Sequence, residues 1–168
     1  MNRRDALKSA LAISLGTAVS SHAAVIEQVT REQKEQPDED RNRVVKVRET
    51  VLRYLASWNE RDAKRRLDLV SQTWIDGGTY IDRVREGHDY ESISALIAKA
   101  QIPFPGYRTY LVSGIENHHE YVRFSWAAGG APDTPIYIKG TDIAMLASDF
   151  RFKSVIGFVD VAPVAGGR

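Results

Sequence analysis

The hydrophobic period of this chain changes lastingly at Pro103-Phe104-Pro105-Gly106, and that change restricts the fold more than any other feature. Before it, three stretches repeat at helical spacing, with one short strand between the second and the third. Val44, Val47, Val51, Tyr54, Leu55 and Trp58 predict an amphipathic helix over 43–59, with Arg43, Lys46, Arg48, Glu49 and Arg53 mostly on its other side. Asp62 is placed to cap a second helix running through Leu67 and Val70 towards Trp74. Asp89 is placed to cap a third, with the stripe Ile93, Leu96, Ile97 and Ala100, which the proline pair ends. After the change, apolar residues alternate. Segments 107–113, 120–128, 136–146 and 150–161 read as strands, joined by 114–119, 129–135 and a tight turn at 147–149. Connections this short imply hairpins and an antiparallel sheet. The expected fold is therefore α+β, with three helices covering one face of a curved antiparallel sheet and closing it into a cone around a cavity.

Composition narrows the function. Of 168 residues 43% are hydrophobic, enough for one ordinary globular domain with extensions. The net charge is +1, but Arg3, Arg4 and Lys8 outweigh Asp5 at the start, so no basic stripe is left to meet a nucleic acid. The chain has no cysteine, which excludes disulfides, thiolate nucleophiles and sulfur-ligated zinc. No apolar run is long enough to span a membrane permanently. Residues 1–23 read as an export signal: a charged start, a mildly apolar stretch broken by Gly16, then small residues before a cut after Ala23. Asn2-Arg3-Arg4-Asp5-Ala6-Leu7-Lys8 resembles a twin-arginine signal but has Ala6 where phenylalanine is usual; a general secretory signal is the alternative. Residues 24–42 are polar and charged and read as a linker, 43–161 as the domain and 162–168 as a tail. The expected location is periplasmic or extracellular, with no membrane attachment after cleavage.

Two acids stand out. Gly77-Gly78 reads as a turn, and the strand expected after it puts Tyr80, Asp82 and Val84 on one face. Facing inward, Asp82 would be a carboxylate between apolar neighbours, with its pKa tuned for taking a proton; on an edge strand it would lie in water. Asp142 alternates with Ile136, Ile138, Gly140, Ala144 and Leu146, so it belongs to the apolar face of its strand. An acid there must be neutral, paired or hydrogen-bonded, and Arg123 on the preceding strand is the obvious partner for a structural ion pair. Trp58, Trp74, Tyr80, His88, Arg123 and Trp126 are candidates for contact with a ligand, although aromatic residues at such positions also serve as plain core. His118-His119 falls in a turn where adjacent side chains diverge, and no metal-binding spacing is evident.

The sequence over 43–160 resembles the nuclear-transport-factor-2-like superfamily, in particular its SnoaL-like and ketosteroid-isomerase-like members. The resemblance rests on Tyr54-Leu55-Ala56-Ser57-Trp58-Asn59-Glu60-Arg61-Asp62, Tyr80-Ile81-Asp82, Phe104-Pro105-Gly106-Tyr107-Arg108, Arg123-Phe124-Ser125-Trp126, Gly140-Thr141-Asp142 and Gly157-Phe158. It implies that Tyr54 donates a hydrogen bond to a developing oxyanion, that Asp82 is the general base, and that a protonated Asp142 is the second donor. Arg83 stands where ketosteroid isomerases have proline, and a cation there would lower the pKa of the base. SnoaL-type cyclases would again select Asp142. Limonene epoxide hydrolases match at Arg123 and Asp142 but not at Ser125. The superfamily spans several reactions, so the resemblance fixes the fold better than the activity. The expected protein is a cofactor-free isomerase or cyclase, or a lyase, acting on a small apolar carbonyl compound. The alternatives are a binding protein for a small hydrophobic ligand and an accessory dimerisation module. A homodimer is expected from the aromatic residues Tyr107, Tyr110, Tyr121, Phe124 and Trp126 on the late strands.

Overall fold

The computed structural model describes residues 38–130 and 136–161, with side chains from 40 to 130 and from 138 to 160. The export signal, the linker up to residue 37, most of the 129–135 loop and the tail lie outside the described residues. Arg43–Arg168 is one compact unit; of the unit before it, Met1–Asn42, residues 38–42 are helical. The helices are α1 (Asp38–Asn59), α2 (Ala63–Thr73) and α3 (Tyr90–Gln101). The strands are β1 (Trp74–Ile81), β2 (Glu86–Gly87), β3 (Arg108–Leu111), β4 (Glu116–His118), β5 (Tyr121–Gly129), β6 (Ile136–Leu146) and β7 (Phe152–Val161).

Local signals account for the helices. The Asp62 carboxylate accepts from the Arg65 N–H and starts α2. Asp89 and Ser92 form a reciprocal capping box at α3. The apolar stripe of α1 buries Val47, Val51, Tyr54 and Leu55, that of α3 buries Ile93, Leu96 and Ile97, and both pack on Trp74, Tyr80, Val122, Phe124, Phe152 and Val155 of the sheet. Each such residue contributes about 1.5–3 kcal/mol by leaving water. Arg66 is buried, and no carboxylate pairs with it among the described residues: its Nε donates to the Ser94 carbonyl at 3.0 Å, and its Nη1 to the carbonyls of Glu60 and Arg61 at 3.2 Å. It thereby fastens α2 to α3 and to the corner after α1.

The sheet is curved, unclosed and mixed, in the order β2-β1-β7-β6-β5-β3, with β4 also on β5. The strands joined by short loops pair antiparallel as expected. β1, however, lies parallel to β7. No hairpin joins those two strands, so loop length could not have fixed their direction. Gly77-Gly78 is likewise not a turn before a strand but lies within β1, at an irregularity between Trp74 and Thr79 where Gly77 adopts φ +68°. β1 therefore ends at Ile81. Val84 falls in the loop, 74% exposed, instead of sharing the inner face with Tyr80 and Asp82.

Candidate functional site

The site lies where the end of α1 meets the inner face of the sheet. Tyr54 and Trp58 are one helical turn apart, and their rings gather the surrounding aromatics. Tyr54 is 5.4 Å from Trp74 and from Phe124, and Trp58 is 5.4 Å from Tyr80, between ring centres. Two polar side chains hold this end of α1. Asn59 exchanges two hydrogen bonds of 2.7 Å with the backbone of Thr109. Gln101, at the end of α3, donates to the carbonyls of Trp58 and Glu60.

Asp82 sits just past β1, its side chain 2% exposed. Its Oδ1 accepts the main-chain N–H groups of Val84 and Arg85, both at 2.8 Å. Its Oδ2 accepts the Tyr80 hydroxyl at 3.0 Å and Arg85 Nη1 at 2.9 Å. A carboxylate has about four acceptor positions, and here all four are used. The charge is balanced by Arg85, three residues on, rather than by the adjacent Arg83.

Asp142, in the middle of β6, is fully buried. Its Oδ2 accepts the Tyr54 hydroxyl at 2.5 Å, and its Oδ1 accepts Trp126 Nε1 at 2.9 Å. Burial pushes its pKa up to about 6, against the two hydrogen bonds, which favour the charged form; the nearby charge of Asp82 adds a little to the rise. The same dryness raises the Tyr54 and Tyr80 hydroxyls well above their ordinary range, helped in each case by the Asp142 charge. Both tyrosines are therefore donors. Arg123 does not pair with Asp142. On β5 it is Phe124 that stands opposite Asp142, and Arg123, one residue earlier, points to the outer face and bonds Glu116 at 3.1 Å.

The two acids meet over Gly157 of β7. A Cβ there would lie 3.0 Å from the Tyr80 hydroxyl, 3.1 Å from Asp142 Oδ1 and 3.4 Å from Asp82 Cβ. Gly140 plays a matching part for Trp126: a Cβ would come within 2.5 Å of the indole and of the Phe158 carbonyl, so only glycine lets the ring lie against β6 and aim its N–H at Asp142. Beside this cluster opens a cavity of about 390 Å³. Tyr54, Trp58, Tyr80, Asp82 and Trp126 line one part of it; Phe104, Tyr107, Ala128, Ile138 and Val159 give it apolar walls.

Of the residues singled out from sequence, the structure thus brings Tyr54, Asp82, Trp58, Tyr80 and Trp126 to the cavity, with Asp142 directly behind Tyr54 and Trp126. Three lie elsewhere. Trp74 is core, fully buried, its N–H donating to the Thr79 carbonyl within β1. His88 is on the surface, 3.1 Å from Glu86. Arg123 is on the outer face, as above. Sequence reading did not give Arg85 or Gln101 a place at the site. An arginine three residues after the acid, across a tight loop, was the available signal for the first; nothing local announces the second.

No protein-family model and no curated protein matches the chain. Solved structures do. A proposed isomerase of the SnoaL-like family from Agrobacterium tumefaciens str. C58 is 36% identical, with a TM-score of 0.64, over 69% of this chain and 98% of its own. A proposed SnoaL-like polyketide cyclase from Jannaschia sp. CCS1 is 19% identical, with a TM-score of 0.57, over 69% of this chain and 86% of its own. An NTF2-like protein of unknown function from Exiguobacterium sp. 255-15 is 21% identical, with a TM-score of 0.53, over 66% of this chain and 98% of its own. The last two are similar in fold alone. The first is similar in sequence over nearly its whole length, and the chain belongs to the SnoaL-like family.

Proposed function

We propose that this chain is a cofactor-free acid–base enzyme of the isomerase or cyclase type, acting on a small apolar carbonyl compound. The observation that carries the reading is the pair of buried carboxylates at one end of an apolar cavity, one balanced by an arginine and the other dry. Asp82 takes a proton from the carbon beside the carbonyl. Its Oδ1 is held by main-chain donors that cannot leave, so Oδ2, held by two side chains, is the reacting oxygen. The C–H bond breaks, an O–H bond forms on Asp82, and the electron pair passes to the carbonyl oxygen as an enolate. Below about pH 6 a protonated Asp142 donates to the Tyr54 oxygen, which releases the Tyr54 hydrogen to meet that enolate. Return of the proton to another carbon completes an isomerisation; attack of the enolate carbon on a second carbonyl of the same molecule, with the Asp82 proton passing to the resulting alkoxide, gives a cyclisation. The Agrobacterium relative, itself a proposed isomerase, supports the reaction class.

The full use of Asp82's acceptor positions favours a second reading, a binding protein for a small hydrophobic ligand without turnover. Proton magnetic resonance in deuterium oxide separates the two. A panel of cyclic ketones and enones is incubated with the protein, and loss of the hydrogens next to the carbonyl is followed. Exchange above background that disappears in Asp82→Asn supports the enzyme. Ketones that bind without exchanging leave only the binding protein.

We also propose export, on the strength of Arg3-Arg4 before a weakly apolar segment ending in small residues. Replacing both arginines by lysine retains the precursor in the cytoplasm if the route is twin-arginine; unchanged export rejects that route. Self-association belongs to the same reading. Ile81, Ile156 and Ile143 form a row across β1, β7 and β6 on the outer face, each at least 40% exposed, with Phe158 and Tyr121 beside them. A second copy is the proposed cover. Sedimentation at micromolar concentration gives a dimer that Ile156→Lys dissociates, whereas a monomeric parent overturns this part.

A further inference from the structure

Resting on the cavity reading above, we propose that the carbonyl compound, apolar over its ring body, also carries one carboxylate-like group, held by Arg83. Most donors that line the cavity are already spent, although the buried Trp58 N–H has no hydrogen-bond partner among the described residues. The Tyr54 and Trp126 donors go to Asp142, and the Tyr80 donor goes to Asp82. Gln101 is spent on two main-chain carbonyls. Arg85 is bound to Asp82. Arg83 is the cationic lining residue left over: it borders the cavity, is exposed, and makes no hydrogen bond or ion pair among the described residues.

Its position is set by a rigid loop. The Asp82 N–H donates to the Arg85 carbonyl at 2.9 Å while the Asp82 carboxylate takes the N–H groups of Val84 and Arg85, which closes the loop and leaves Arg83 inside it. Asp82 is neutralised by Arg85. The charged side chains that line the cavity are Asp82, Arg83 and Arg85, so the lining carries a net positive charge, borne by Arg83, beside walls made of Phe104, Tyr107, Ala128, Ile138 and Val159. An anion at the rim with its rings inside satisfies both halves. Orienting a substrate by a remote charge also brings its carbonyl to a fixed place before Asp82.

The test uses two fluorescent probes that differ by one sulfonate, 1-anilinonaphthalene-8-sulfonate and its neutral parent N-phenyl-1-naphthylamine, titrated into the full chain. Val159→Trp, at the exposed rim of the cavity, identifies the signal that comes from the cavity rather than the outer face. The expected result is cavity binding of both probes, with the anion about fivefold to tenfold tighter at low salt. Arg83→Gln removes that preference and leaves the neutral probe unchanged, and Arg83→Lys keeps most of it. Equal affinity for the two probes, or a preference that survives Arg83→Gln, overturns the proposal while leaving the cavity reading intact. If Val159→Trp weakens neither probe, the cavity reading fails and takes this inference with it.

Discussion

Asp82 and Asp142 are both almost fully removed from water, and their surroundings differ in every other respect. Asp82 lies in a loop beside β1 with four donors, two of them main-chain, and an arginine. Asp142 lies in mid-strand with two donors and, among the described residues, no paired cation, and its pKa rises to about 6. The first environment is built to hold a charge, the second to make a charge costly. Two carboxylates in surroundings this different are what acid–base chemistry at one pH requires. The contrast also shows why burial alone says little about an acid. The number and kind of donors, and whether a cation reaches it, decide which protonation state the fold supports.

The largest effect that would break this comparison is loss of the base. Asp82→Asn lowers turnover, followed as deuterium exchange into a ketone substrate, by about 10³-fold. Binding of the neutral fluorescent probe stays within about threefold. Equal loss of binding and turnover would instead mean that the Asp82 cluster shapes the cavity and performs no chemistry in it.

Next comes the donor that Asp142 controls. Tyr54→Phe lowers turnover by about 10²-fold and leaves Asp142 with the Trp126 N–H alone, so the Asp142 pKa moves further up. Exchange rates in the Phe variant within a factor of three of the parent would remove Tyr54 from the mechanism.

How much of this was legible follows from which distances are local. Helical spacing places Tyr54 inward and alternation places Asp142 inward, but their contact joins residues 88 apart and depends on where α1 crosses the sheet. Period two assigns a face and not a register. That is why Arg123 looked like a partner for Asp142, although the strand pairing sets Phe124 opposite it. Adjacency suggested Arg83 as the cation at Asp82, whereas the closed loop delivers Arg85 and leaves its neighbour free. β2 and β4 are two and three residues long, too short to show any alternation. The parallel pairing of β1 with β7 is a property of the whole topology, so the sequence could announce both strands without announcing that they touch.

A smaller perturbation acts on both acids at once. Gly157→Ala inserts a methyl group between the Tyr80 hydroxyl and Asp142 Oδ1, at distances of 3.0 and 3.1 Å, and one or both must move. The expected cost is about 1–3 kcal/mol in chemical denaturation and about tenfold in turnover. A variant with unchanged stability and rate would show that the two acids are not coupled through this point.

The smallest structural change is Asp142→Asn, and its effect has the opposite sign. The Trp126 N–H can only donate, so it takes the amide oxygen; the amide N–H₂ then faces Tyr54, whose hydroxyl turns to accept. Both hydrogen bonds survive and the charge is gone. Because the folded-state pKa of Asp142 is raised, the parent loses stability as pH climbs from the unfolded value near 3.9 through about 6. The loss is about 3 kcal/mol and is complete by pH 7. The substituted amide does not titrate. The variant therefore matches the parent near pH 4 and exceeds it by up to about 3 kcal/mol at pH 7, read from urea denaturation at the two pH values.

The central claim is that Asp142 is the dry acid of the pair, and its carboxyl can be observed directly. With carbon-13 introduced at the aspartate side chains, the Asp142 resonance is assigned by its absence in Asp142→Asn and followed from pH 3 to pH 8. The account predicts a midpoint near 6 that moves upward in Tyr54→Phe. A midpoint at or below about 4 would contradict it, making Asp142 an ordinary ionised carboxylate held by Tyr54 and Trp126.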